Sequence, residues 1–202
     1  MEKIGIMIGS FNPIHNGHLM MAGYLLDNSD LSKVLIVPSP KSFGKPELIS
    51  FSHRTEMIRL TIKEVNDKRL DWSDIETYLS GYTIDTLDAL SSSTTYKYVL
   101  IIGADNFPEL INFHRALDIL KKYEIYVLDR NNVDVDEMIS TVLSKIGLER
   151  KDCKGIESFC NFPETKLSSS FIRKQVKDGK RVWAYVPKKV NNYIKKFKLY
   201  KS

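Results

Sequence analysis

The chain has 202 residues, 43% of them apolar and 27% charged, with 30 Lys+Arg against 25 Asp+Glu and a formal net charge of +5. That composition excludes a disordered or fibrous chain, and at roughly 150 residues per domain it suggests one large domain. Two cysteines, Cys153 and Cys160, exclude a disulfide framework and fit a reducing compartment. The first apolar run, Ile4 to Ile8, stops at Gly9-Ser10 and is too short for a signal-peptide core. Tyr98 to Ile102 falls far below the roughly 20 residues that span a bilayer. A cytoplasmic protein with no membrane partner is expected.

Strands and helices alternate along the chain. Lys3 to Ile8 reads as a buried strand, and His18 to Leu26 has helical character. Val34 to Val37 is a second strand, stopped by Pro38, and a loop follows to Pro46. Ser52 is placed to cap a helix running to about Val65. Leu70 to Ile75 reads as a strand, Gly81 as a turn, and Thr83 to Leu90 as a helix. Lys97 to Ile102 is the clearest strand and ends at Gly103-Ala104-Asp105. Ala116 to Lys122 is helical, Glu124 to Leu128 a strand, Val133 to Ile146 an amphipathic helix and Gly155 to Phe159 a short strand. A helix starts near Ser168. A last one carries Val190, Tyr193, Ile194 and Phe197 at one-face spacing.

Such alternation implies an α/β fold, a Rossmann-like doubly wound parallel sheet. Residues 1–202 are read as a single domain, with 166–202 as a small helical C-terminal part. In these sheets ligands bind beyond the carboxyl ends of the strands. The charge is unevenly divided. Residues 166–202 hold twelve Lys/Arg and one acid, Asp178, a local +11 that leaves −6 for the rest. A polyanionic partner is implied, either nucleic acid or a small molecule.

The junction Gly9-Ser10-Phe11-Asn12-Pro13-Ile14-His15-Asn16-Gly17-His18 lies between the first strand and helix. A glycine permits close approach of a ligand to the backbone, and a helix N-terminus attracts anions. His15 and His18 add donors for phosphate oxygens. A metal role for the pair is disfavoured, because no Glu follows His15 and neither cysteine has metal-type spacing.

This string resembles the N-terminal His-x-Gly-His signature of the nucleotidylyltransferase superfamily. Leu167-Ser168-Ser169-Ser170-Phe171-Ile172-Arg173 is similar to its C-terminal Ile-Ser-Ser-Thr-x-Ile-Arg element. Ser80-Gly81-Tyr82-Thr83-Ile84-Asp85-Thr86-Leu87 and Gly103-Ala104-Asp105 resemble stretches of bacterial nicotinate-mononucleotide adenylyltransferases. The resemblance spans nearly the whole chain in order. It implies transfer of AMP from ATP to a pyridine mononucleotide, with Mg²⁺ carried mainly on the ATP phosphates. No nucleic-acid partner is then expected. The alternatives are pantetheine-phosphate adenylyltransferase, a cytidylyltransferase or a nucleic-acid-binding module.

The resemblance also implies roles. His15, His18 and Arg173 are the catalytic candidates. Gly9, Ser10, Phe11, His18, Gly103, Asp105, Ser168, Ser169 and Arg173 would meet ATP. Ser10, Phe11, His15, Lys45, Arg54, Thr83 and Phe113 would meet the mononucleotide. Asp105 reads equally as a helix cap, Thr83 as an N-cap, Arg54 as an exposed helix arginine, Lys45 as a solvated lysine and Phe113 as a core residue. Three positions depart from the family pattern. Asn12 stands for Asp, Gly44 for His and Phe113 for Trp.

Overall fold

The computed structural model describes residues 1–40, 47–129, 134–163, 165 and 167–201, without the side chain of Ser93. Six strands form one parallel sheet: β1 (Lys3–Gly9), β2 (Leu31–Pro38), β3 (Leu70–Trp72), β4 (Lys97–Gly103), β5 (Glu124–Leu128) and β6 (Ile156–Phe159). Their order is β3-β2-β1-β4-β5-β6, the doubly wound arrangement expected from the alternation. Ile6 of β1 registers with Leu35 of β2 on one side and Leu100 of β4 on the other. The winding direction reverses between β1 and β4, so a crevice opens past Gly9 and Gly103.

The period-2 pleat of the strands separates two cores. Val34, Ile36, Val99 and Ile101 face one, while Ile6, Val37, Leu100 and Ile102 face the other. Helices cover both. On the first face pack α1 (Asn16–Asn28) and α2 (Phe51–Val65), through Met21, Leu25, Met57 and Ile58. On the second pack α3 (Thr83–Ser93), α4 (Ala116–Lys122) and α5 (Val135–Ser144), through Ile84, Leu87, Ile119 and Ile139. Burying each such side chain contributes about 1.5–3 kcal/mol, so the two cores dominate the fold's stability. Gly5 lets β1 sit tightly in the sheet. A Cβ there would approach Ile101 Cδ1 to 2.5 Å and Leu31 Cδ1 to 2.7 Å.

The helical C-terminal part, α6 (Ser169–Lys177) and α7 (Lys188–Lys196), joins the first core. Ile172, Val190 and Ile194 are buried there, whereas Phe197 is 45% exposed. The expected apolar face thus ends one turn early. The helix stops at Lys196, and Phe197 lies instead against the rings of His53 and Tyr193. Two other boundaries shift. Ser50, not Ser52, caps α2, its hydroxyl accepting the His53 N–H at 3.4 Å. β3 ends at Trp72, and Ile75–Tyr78 turns into a 3₁₀ helix.

A carboxylate docks α7. Glu64 near the end of α2 accepts the Lys188 and Lys189 N–H groups at 2.9 and 2.7 Å. These are orphan donors of a helix N-terminus, where the dipole also favours an anion. Glu64→Ala is therefore expected to lower stability by about 1–2 kcal/mol. Urea unfolding measures this, and hydrogen exchange should show lost protection confined to α7.

Candidate active site

The site begins where β1 ends. Phe11 takes φ 45°, a left-handed conformation that costs a non-glycine residue about 1–2 kcal/mol. Its ring is buried and meets the His18 ring edge-on, with centroids 4.9 Å apart. Burial of that ring offsets the backbone cost. The Asn12–Pro13 peptide is cis. His15 then stands at the N-cap position of α1 with extended backbone.

The two histidines form one unit. Their rings stack with centroids 3.7 Å apart and planes 22° apart. The His15 N–H donates to His18 Nδ1 at 3.2 Å. An Nδ1 that accepts carries no proton, so the neutral His18 ring bears its proton on Nε2 and is a donor there. Gly17 makes room for the arrangement. A Cβ on it would lie 3.0 Å from His15 Nδ1 and 3.1 Å from His15 Cε1.

Distant elements hold this turn by its carbonyls. Arg54 of α2 is 0% exposed, and its Nη1 donates to the Ser10 and Ser39 carbonyls at 2.7 and 2.8 Å. Its Nε donates to the Ile49 carbonyl at 3.2 Å. Arg54 is therefore neither an exposed helix arginine nor a side chain extended toward solvent. Burial draws its guanidinium below its ordinary range, yet arginine remains cationic.

The C-terminal motif meets the first one directly. Ser168 caps α6, accepting the Phe171 N–H at 3.1 Å. Ser169 does not share the capping. Its hydroxyl donates to the Pro13 carbonyl at 2.8 Å. Arg173 Nη1 donates to the Asn12 carbonyl at 3.0 Å, and Nη2 pairs with Glu47 Oε1 at 2.6 Å. The Asn12 side chain is also engaged. Its Nδ2 donates to the Glu47 carbonyl at 3.0 Å, and its Oδ1 accepts from Tyr200 Oη at 3.1 Å. Burial holds the Tyr200 phenol well above its ordinary pKa, so it stays protonated as that donor.

A second group flanks the end of β4. Gly103 closes that strand and is buried, and Asp105 follows on an exposed turn. Asn106, not Asp105, occupies the N-cap position of the next 3₁₀ helix, Phe107–Asn112. Thr83 is the first residue of α3, with Tyr82 at the N-cap, so Thr83 is not the cap. Phe113 is half-buried against the second core. The neighbouring His114 ring lies 4.4 Å from that of Tyr82. Gly44 and Lys45 lie outside the described residues.

Glu47, Tyr200 and the carbonyl-binding side of Arg54 escaped the sequence reading. Glu47 and Arg173 are 126 residues apart, and Asn12 and Tyr200 are 188 apart. No local pattern signals such pairs.

Comparison with known proteins identifies the family. Residues 6–175 match the family described as cytidylyltransferase-like. The chain is 35% identical to the "Probable nicotinate-nucleotide adenylyltransferase" of Caldicellulosiruptor bescii, over 98% of this chain and 99% of that protein. A protein of the same name from Lachnoclostridium phytofermentans is 33% identical over 99% of this chain and 100% of its own length. The fold is also that of a Plasmodium falciparum nicotinic acid mononucleotide adenylyltransferase solved in complex with NaAD. That match has a TM-score of 0.79 at 20% identity, over 99% of this chain and 98% of the other. The chain belongs to the nicotinate-nucleotide adenylyltransferase family, within the cytidylyltransferase-like nucleotidyltransferases.

Proposed function

We propose that the protein transfers the adenylyl group of ATP to nicotinate mononucleotide, giving deamido-NAD and pyrophosphate in NAD biosynthesis. The observation that carries this reading is the meeting of two motifs on one turn. Ser169 and Arg173 reach the Pro13 and Asn12 carbonyls across 156 and 161 residues. The full-length relatives support the choice of the pyridine branch.

The chemistry suits what the site offers. An oxygen of the mononucleotide 5′-phosphate bonds to the α-phosphorus of ATP. The bond from that phosphorus to the bridging oxygen breaks, and its electron pair leaves with pyrophosphate. The nucleophile is already anionic, so no general base is needed. The remaining tasks are alignment and stabilisation of charge. His18 Nε2–H, His15, the α1 N-terminus and Arg173 are read as the groups that do this. Gly9, Ser10 and Phe11 offer backbone contacts. Arg54 is read as shaping the Ser10 carbonyl rather than extending to substrate. Gly103, Asp105, Thr83 and Phe113 are read as lining the nucleoside and pyridine ends.

Mg²⁺ is assigned to the substrate, as MgATP, held by phosphate oxygens and water. Among the described residues no group of three or more His, Cys, Asp or Glu gathers to hold a metal ion. The chain's own groups then meet the triphosphate with N–H donors and cations. Residues 1–202 are read as one domain, supported by Ile172, Val190 and Tyr200 sharing a core with Met7. No helix among the described residues is long and apolar enough to cross a membrane.

Three outcomes are expected. Pyrophosphate release should occur with pyridine mononucleotides and not with phosphopantetheine or phosphocholine. Turnover of only a non-pyridine acceptor would refute the assignment. His18→Ala should lose about 100-fold or more in kcat/KM, the usual cost of one transition-state donor, with a melting temperature lowered by only about 2–4 °C for the lost His15 N–H bond; full turnover would remove His18 from the mechanism. Gly17→Ala should displace the His15 ring and cost about 10- to 100-fold in kcat/KM, and wild-type rates would show that the stacked geometry is dispensable.

A further inference from the structure

Arg173 is the cation that the C-terminal motif aims at the first turn, and it already holds an anion. Its Nη2 lies 2.6 Å from Glu47 Oε1, the distance and charge pairing a phosphate oxygen would adopt on the same nitrogen. The pair is asymmetric. The Arg173 side chain is 16% exposed and that of Glu47 48%. Glu47 therefore stands on the solvent side, where an incoming anion can replace it without uncovering the guanidinium. Arg173 Nη1 stays on the Asn12 carbonyl, so the arginine is held in place while Nη2 changes partner.

Asn12 anchors the carboxylate's own backbone. Its Nδ2 donates to the Glu47 carbonyl while its Oδ1 accepts from Tyr200. An aspartate at position 12 has no N–H to donate. Asn12 thus anchors the backbone of the residue whose carboxylate pairs with Arg173.

We propose that Glu47 is a positioning residue for Arg173, an internal carboxylate that competes with the triphosphate of ATP for its guanidinium and so sets ATP affinity. This rests on the reading of Arg173 as a triphosphate contact. Nη2 also donates to Ser170 Oγ at 3.3 Å, and removing the competitor's charge frees its other N–H for phosphate. A purely structural role for Glu47 would weaken binding when the pair is broken; competition strengthens it.

The test is calorimetric titration of the full chain with α,β-methylene-ATP and Mg²⁺. Glu47→Gln should tighten Kd by about two- to fivefold, the upper part of the range for a partly exposed ion pair, and Glu47→Ala should shift it in the same direction. In an Arg173→Ala background the Glu47→Gln effect should fall below about twofold, because no guanidinium remains to compete for. Unchanged or weaker binding in both Glu47 variants, with wild-type binding intact, overturns the competition alone. A wild-type chain that does not bind the analogue overturns the site reading and the competition with it.

Discussion

The Ser10, Asn12 and Pro13 carbonyls, in the turn between β1 and α1, are met by side chains rather than by a ladder or helix, and a buried carbonyl left without a partner costs about 1–3 kcal/mol. Side chains from far along the chain meet them. Arg54 takes Ser10, Arg173 takes Asn12, and Ser169 takes Pro13. Tyr185 adds a contact from the opposite direction, its carbonyl accepting the Asn16 N–H at 2.9 Å. The turn that carries both histidines is thus set by α2 and by the C-terminal part together. Each tie is worth on the order of 1 kcal/mol, or more where a guanidinium donates. Their number, rather than any single one, fixes the position of the His15–His18 pair.

The same ties explain the placement of charge. Of the +11 carried by 166–202, one guanidinium, that of Arg173, reaches the turn. Lys188 and Lys189 act through their backbone N–H groups, which Glu64 caps. Arg54, from the net-acidic part of the chain, supplies the other cation beneath the turn. Among the described residues, two guanidinium groups, those of Arg54 and Arg173, hydrogen-bond to the carbonyls of this turn. Backbone carbonyls hold both guanidinium groups in place before a phosphate arrives, and such preorganisation favours electrostatic stabilisation of a transition state.

The parallel sheet was legible because its strands are buried on both faces and read as short β-branched runs. The helix boundaries were less so. Whether Ser50 or Ser52 caps α2 depends on which hydroxyl meets a free N–H, and both are serines near the right place. Phe197 has the spacing of a core residue, but the helix ends before it can turn inward. The first-motif residues were legible as a string, since Gly, His and Pro there serve local geometry. Arg54 was legible as a cation near the site but not as a buried one, because its carbonyl partners lie just past the ends of β1 and β2 and in the loop before α2.

By itself the sequence determined the α/β alternation, the division of charge and the two phosphate-type motifs. All of these are properties of neighbours within a few residues, where backbone periodicity and capping chemistry act. Only the tertiary structure decided that the motifs meet, that Arg54 is buried and that Glu47 holds Arg173. Those facts rest on contacts between residues as far as 44, 126 and 161 positions apart. Such contacts are set by how a six-stranded sheet brings its carboxyl ends together, not by any spacing that can be read along the chain.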